Sequence, residues 1–468
     1  MTSGVLRSRG YWLIIIGAAY FVCLTVSFNS GAQESPPPEA SAAAKSQAWN
    51  WHVQNTDTVQ GYPAFAAKYS GANSLPSGGE TRQTVSLDVM AGVRLWQGSE
   101  AHIDGLMWQG FGLGNTLGVE GFPNGEAYRI GTAPPNGNIA RLFIRQTVGL
   151  SGPQEEVPDD QLTLAGKEDI SRLVFTFGRF AAIDIFDRNT YANDPRTQFM
   201  NWALVNNEAW DYPADSLGFT MGLAVELNQP KWTLRYGCFL LPRYANSLTA
   251  EDQIFKWPYE SSGQDGPFLS TWGMVTEFER RYNLLTQPGA IRLLAYLNKA
   301  NMGSYQQAID NPTRPADITA TGKYRYKYGF GVNLDQEISQ NVGFFSRLGW
   351  NDGQNEAWMF TDVDYEASLG VSIKGKPWHR TDDTFGLGSA FGGINKTEEE
   401  FFKAGGTGLL AGDGNLNYGW EKILEAYYDF DVWKSIHFTG DYQFISNPAF
   451  NRDRGPVSVF GARLHWEL

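Results

Sequence analysis

His52, His102, His379, His437 and His465 are scattered along the chain, and no H-E-x-x-H pair or Cys/His cluster joins them into zinc-ligand spacing. A G-x-S-x-G nucleophile elbow and a Walker A loop are both absent. The stretch GFGLGNTLG at 110–118 has the glycines of a phosphate loop, but the third falls at the wrong spacing and no βαβ unit surrounds it. GDGNLN at 412–417 and NDGQNE at 351–356 resemble pieces of calcium loops without the full ligand series, so they read as hairpin turns. A metal site is therefore not expected. Carboxylates remain, 50 of them, and a glycosidase needs only two. In so acidic a chain such pairs arise by chance, which leaves a secreted or barrel-borne hydrolase as the enzymatic alternative. What carboxylates, guanidinium groups and aromatic rings do together is physical. Charged forks bind neighbouring hydroxyls, and Trp or Tyr rings stack on flat C–H faces.

The elements that would position such groups are strands. In TVSLDVMAGVRLW, Val85, Leu87, Val89, Ala91, Val93 and Leu95 share one face, while Ser86, Asp88, Gly92 and Arg94 share the other. The same period of two runs through DVDYEASLGVSIKG (362–375), LEAYYDFDV (424–432) and IHFTGDYQF (436–444). Weaker stretches lie near 101–111, 139–149, 171–179, 219–228, 231–240, 271–280, 290–298, 325–335, 341–350, 382–391, 407–413 and 456–468, about sixteen in all. Their polar faces carry Glu226, Arg235, Glu277, Arg292, Arg347, Glu366, Asp429 and Asp441. A soluble sandwich or propeller could also alternate in this way, with its charges toward solvent. The last segment favours a closed sheet in lipid: Phe460, Ala462, Leu464, Trp466 and Leu468 oppose Arg463, His465 and Glu467. A free edge cannot persist there, so first and last strands must pair. The fold class expected is all-β, a transmembrane antiparallel β-barrel of about sixteen strands with inward-folded loops.

Composition agrees. Aromatics make up 14% of the 468 residues, with 16 Trp and 21 Tyr, beside 19% charged residues, which suits a wet lumen ringed by aromatic girdles. Arg7 and Arg9 precede an apolar run, Tyr11–Phe28, and then Ser30 and Ala32, the pattern of a secretory signal cut after Ala32. A retained anchor is the alternative, since 18 apolar residues could just span a bilayer. Losing residues 1–32, with two Arg and no acid, takes the formal charge from −13 to −15, which disfavours nucleic acid as a partner. Cys238 would then be the sole cysteine, so no intramolecular disulfide is expected. Residues 33–48 read as a flexible Pro/Ala-rich leader, 49–80 as a periplasmic or plug-like segment, and 81–468 as the barrel.

Seven phrases in order along the body resemble the carbohydrate-selective porin family of the OprB type. They are GFPNGEAYRIG (121–131), RLFIRQTVGL (141–150), DIFDRNTYANDPRTQFMNWAL (184–204), WDYPADSLGFTMGLAVELN (210–228), GWNDGQNEAW (349–358), GDGNLNYGWEKILEAYY (412–428) and NPAFNRDRGPVSVFGARLH (447–465). The resemblance implies a sixteen-stranded barrel in the outer membrane of a Gram-negative cell, passive transport of small sugars such as glucose together with ions, and no cofactor. Its partners would be small carbohydrates, outer-membrane lipid and the barrel-assembly machinery, with the oligomeric state open. A general or polysaccharide-export channel and a plugged structural barrel are the rival readings. A constriction is expected from the 120–215 region, where Glu126, Arg129, Asp187, Arg188, Asp194, Arg196, Trp210, Asp211 and Asp215 bring both charge signs and an aromatic together. The same residues also suit loop architecture, because Asp before Pro starts turns and Asp–Arg pairs lock loops. Arg141 and Arg145, opposite Leu142, Ile144 and Val148 on one strand, are candidates for the lumen wall.

Overall fold

The computed structural model describes residues 46–127, 131–247, 256–257, 270–311 and 313–468. Sixteen strands among them close an antiparallel barrel. These are β1 (Trp49–Tyr62), β2 (Glu80–Trp96), β3 (Ser99–Phe111), β4 (Gly131–Gly149), β5 (Arg172–Phe180), β6 (Thr220–Gln229), β7 (Trp232–Leu240) and β8 (Trp272–Leu284). The second half is β9 (Gln287–Ala300), β10 (Arg325–Ser339), β11 (Val342–Asn351), β12 (Tyr365–Lys374), β13 (Thr384–Gly393), β14 (Glu421–Trp433), β15 (Ile436–Ser446) and β16 (Val457–Glu467). Each strand pairs with its sequence neighbours. Closure comes from β1 against β16, in register from Gln54 opposite Glu467 to Gly61 opposite Phe460. Leu468 and Val53 exchange backbone hydrogen bonds of 2.9 and 3.1 Å at the seam. No edge of the barrel is left to lipid.

The period of two sorts the side chains as the sequence implies. Val89, Val93, Leu142, Ile144, Phe177, Leu223, Leu234, Leu293, Leu348 and Phe460 are exposed on the outer face. Trp49, Trp51, Trp96 and Trp433 ring one end, and Tyr324, Tyr326, Tyr328 and Trp420 ring the other. Cys238 lies on the outward face of β7, half-buried. The two ends differ in their connections. Two-residue turns join β2 to β3, β6 to β7, β8 to β9, β10 to β11 and β14 to β15, whereas the opposite end carries the long loops, of which 181–219 is the longest.

Three expectations need correction. Residues 407–413 are not a strand: the N–H groups of Leu409, Leu410 and Ala411 turn onto the Asp362 carboxylate at 3.0, 3.0 and 3.2 Å instead of joining a ladder. The strand that restores the total is β1, hidden in sequence because Asn55 and Asp57 interrupt its outward apolar face. The segment 49–80 is accordingly not a plug, since 49–62 is wall and the barrel begins there rather than at residue 81. What enters the turn-bearing end is the connection between β4 and β5. Beyond a small hairpin, Gln154–Val157 with Gly166–Asp169, its tip is held by Asn50 on Asp159 (2.8 Å), Arg145 on the Leu162 carbonyl (2.8 Å) and Leu164 N–H on Glu100 (3.3 Å). The expected signal peptide, residues 1–32, and all but 46–48 of the leader lie outside the described residues.

Candidate functional site: an inward-folded loop set in the lumen

A barrel this wide is narrowed from within, and the backbone of any loop that turns inward needs hydrogen-bond partners away from bulk water. Wall carboxylates supply them. Glu425 on β14 accepts from the N–H groups of Met200 and Asn201 at 2.6 and 3.0 Å. Glu421 accepts from Gly121 (2.8 Å), Glu120 (3.2 Å) and Ala449 (2.6 Å). Glu366 on β12 takes the N–H of Glu208 at 2.6 Å, and Glu277 on β8 that of Asp187 at 2.8 Å. From β11, Arg347 donates to Asp187 (2.9 Å) and to the carbonyls of Leu204 (2.9 Å) and Ala192 (2.7 Å). Residues 112–127 and loop 181–219 are thereby pinned to the wall strands β8, β11, β12 and β14. Asn201 also caps the single turn α1 (Trp202–Val205), accepting from Ala203 N–H at 3.0 Å.

The pinned loops make their own apolar core inside the lumen. Phe122 stacks on Trp202 with ring centres 5.0 Å apart, and Tyr212 stacks on Phe360 at 4.5 Å. All four are buried. Aromatic rings expected to meet a solute are thus partly consumed in holding the loops together. Trp210 is one of them, buried beside Phe186.

The charged candidates divide by exposure. Glu126 is buried on Arg196 (2.9 Å) and Ser86 (3.1 Å), and Arg196 also meets Asp88 at 3.0 Å. Asp187 is buried under Arg347 and Asn333. Asp211 accepts from Trp358 and Met359 N–H at 2.9 and 2.8 Å, and burial pushes its carboxyl up despite those bonds. Asp215 accepts from Leu217 and Phe219 N–H at 2.7 and 3.1 Å and pairs with Arg179 at 2.8 Å. These residues fasten loops. Arg129 lies outside the described residues.

A second group keeps contact with the open lumen. Arg141 bridges Asp104 (2.7 Å) and, through two nitrogens, Asp184 (2.8 and 2.7 Å), with 16% of its side chain exposed. Burial alone would raise the Asp184 carboxyl, but the Arg141 guanidinium and its hydrogen bonds bring it below the usual range, so it is an anion. Arg145 pairs with Glu100 at 3.0 Å. Arg188 is exposed and makes no ion pair among the described residues, and Asp194 is half-buried after accepting the Arg196 N–H at 2.9 Å. Sequence reasoning passed over Asp104 and Asp184. Both had a signal: Asp104 shares the inward parity of His102, and Asp184 opens the phrase DIFDRNTYANDPR. Such an arrangement offers both charge signs as hydrogen-bond donors and acceptors.

Residues 72–468 match the model of the carbohydrate-selective porin, OprB family. The chain belongs to that family. Among solved structures, OprB of Pseudomonas putida at high pH is similar at 17% identity, with a TM-score of 0.66 over 90% of this chain and 94% of that one. The low-pH structure of the same protein gives 13% identity and a TM-score of 0.47, over 90% and 93% of the two chains. No curated protein matches. This OprB-family member is an outer-membrane carbohydrate porin with a closed sixteen-stranded barrel. Its family and fold are those of channels rather than enzymes.

Proposed function

We propose that the lumen conducts small neutral sugars such as glucose by passive diffusion, past a constriction lined by Arg141, Arg145, Arg188 and Asp194, with Asp184 as a further acceptor. The observation that carries this reading is the Arg141–Asp184 pair, which stays partly exposed in a lumen where most other candidates are buried in loop clamps. A sugar can borrow donors and acceptors from such a pair without either charge being bare. Binding must stay weak, on the order of millimolar or about 4 kcal/mol, for release to keep pace with entry. Export of the chain would follow cleavage of residues 1–32, giving a mature amino terminus at Gln33 that mass spectrometry of membrane-extracted protein would read. Proteoliposomes should swell faster in glucose than in gluconate, a similarly sized anion. Swelling no faster than protein-free liposomes in any hexose would overturn the reading.

A further inference from the structure

The outward rows of the wall meet hydrocarbon, so a charge standing on one of them calls for a partner. Among the described residues Asp57, Arg280, Lys299 and Lys422 hold outward positions by the alternation of β1, β8, β9 and β14. Of these, Arg280 alone lies at the turn-bearing end. In its own row it stands between Phe278 and Tyr282, and it is registered directly opposite Trp232 on β7 and Ile291 on β9. Lys231, in the turn between β6 and β7, precedes Trp232. Its carbonyl accepts the Arg281 N–H at 2.9 Å, which fixes the turn beside β8.

Arg280 and Lys231 are both exposed, and neither side chain makes a hydrogen bond or ion pair among the described residues. The acids of the neighbouring strands face the other way. Glu277 and Glu279 point into the lumen, where Arg235, Arg281 and Arg292 take them, and Glu337 on β10 has the inward parity of Asp335. What surrounds the two cations on the outer face is apolar or aromatic. Leu234 and Phe278 are exposed, and the rings of Trp232 and Phe278 lie 6.2 Å apart. Arginine and lysine stems run along such a surface while their heads reach the headgroup layer, the layer in which Trp is also at home. Short turns face the periplasm in barrels of this kind, so the leaflet beside Arg280 is the glycerophospholipid one.

We propose that Arg280 and Lys231 form a site on the outer face for the phosphate of an anionic glycerophospholipid, with the lipid's glycerol against Trp232 and an acyl chain along Phe278 and Leu234. Charge complementarity selects this occupant. Two unpaired cations with no outward acid beside them suit a headgroup whose net charge is negative, whereas a zwitterionic headgroup brings its own ammonium to the same place. A free phosphate ion would meet the cations but gain nothing from the apolar surface around them. The site is independent of which solute the lumen carries.

The test is native mass spectrometry of the folded porin in detergent, titrated with phosphatidylglycerol, phosphatidylcholine or inorganic phosphate. Wild type is compared with the Arg280→Ala, Lys231→Ala double variant, with Arg280→Lys and with Lys422→Ala, and heat-modifiable gel mobility reports that each barrel is folded. The first phosphatidylglycerol should bind the wild type at least about fivefold more tightly than phosphatidylcholine, as two cations at a membrane surface imply. That preference should vanish in the double variant. It should persist in Arg280→Lys, which keeps the charge, and in Lys422→Ala, whose outward cation lies at the opposite end. Equal binding of the two lipids by the wild type, or an undiminished preference in the folded double variant, would overturn the site. Displacement of phosphatidylglycerol by inorganic phosphate at equal concentration would overturn the lipid in favour of an ion. A dimer that is lost in the double variant, with no lipid preference in the wild type, would overturn it in favour of a second copy of the chain.

Discussion

Glu425 and Arg141 are both inward-facing charges on wall strands, placed by the same alternation, yet they do opposite things. Glu425 is fully buried and accepts two loop N–H groups, so its charge is spent on architecture. Arg141 holds two carboxylates and keeps 16% of its side chain exposed. The β11–β14 side of the barrel, with Arg347, Glu366, Glu421 and Glu425, is where loops are fastened. The β3–β4 side, where Arg141 and Arg145 keep 16% and 21% of their side chains exposed, is where a charged surface stays partly open. A polar inward strand face therefore does not by itself mark a solute path; what decides is how much of it the loops cover.

Substitutions on the two sides should separate accordingly. The largest effect is expected from Arg347→Ala, which leaves Asp187 buried without its cation and frees the carbonyls of Leu204 and Ala192. Breaking such a pair costs about 3–5 kcal/mol, seen as a lower midpoint in denaturant-induced unfolding. Glu425→Ala comes next. Each of its two stranded N–H groups costs about 1–3 kcal/mol, and loop 181–219 should loosen, raising single-channel conductance. On the open side, Arg141→Ala should leave conductance nearly intact but bare Asp104 and Asp184, moving the reversal potential in a salt gradient toward cation preference. If Arg141→Ala instead raised conductance as Glu425→Ala does, the division between the two sides would fail.

A smaller effect is expected from pH. Glu356, in the loop 352–364, accepts the Gly303 N–H at 2.8 Å, and burial raises its carboxyl from the ordinary 4.5 to about 6. A raised folded value means the folded state binds the proton more tightly. Its stabilising contribution is therefore complete below the ordinary value and is lost as pH climbs through about 6. Thermal midpoints of the wild type should fall between pH 4 and 7, and Glu356→Gln should flatten that slope. Least affected should be Lys68→Ala, which removes a solvent-screened 2.6 Å pair with Asp453 and should leave the unfolding midpoint indistinguishable from that of the wild type.

Much of the wall was legible in the sequence because a period of two needs only local residues. Val85 to Leu95 and Leu424 to Phe430 face outward as their alternation implies. Strand β1 was not legible, since its outward Asn55 and Asp57 and its inward Asn50, Gln54, Thr56, Thr58 and Gln60 leave little apolar contrast between faces. The loops were harder for a different reason. Glu120 N–H meets Glu421 across 301 positions, and Met200 N–H meets Glu425 across 225, so no local pattern signals the clamp. Asp–Arg runs such as DRNTYANDPR announced charge but not burial. Asp187 and Arg196 ended inside clamps, while Arg188 and Asp194 kept an open face.

Wall carboxylates, by pinning inward loops, are expected to narrow the sixteen-stranded barrel to a path for single sugars. Liposome swelling in glucose and in a trisaccharide, for wild type and Glu425→Ala side by side, tests it most directly. The wild type should admit glucose and strongly retard the trisaccharide, and Glu425→Ala should admit both. Equal size discrimination in the two folded proteins, or a wild type that passes the trisaccharide as fast as glucose, would contradict it.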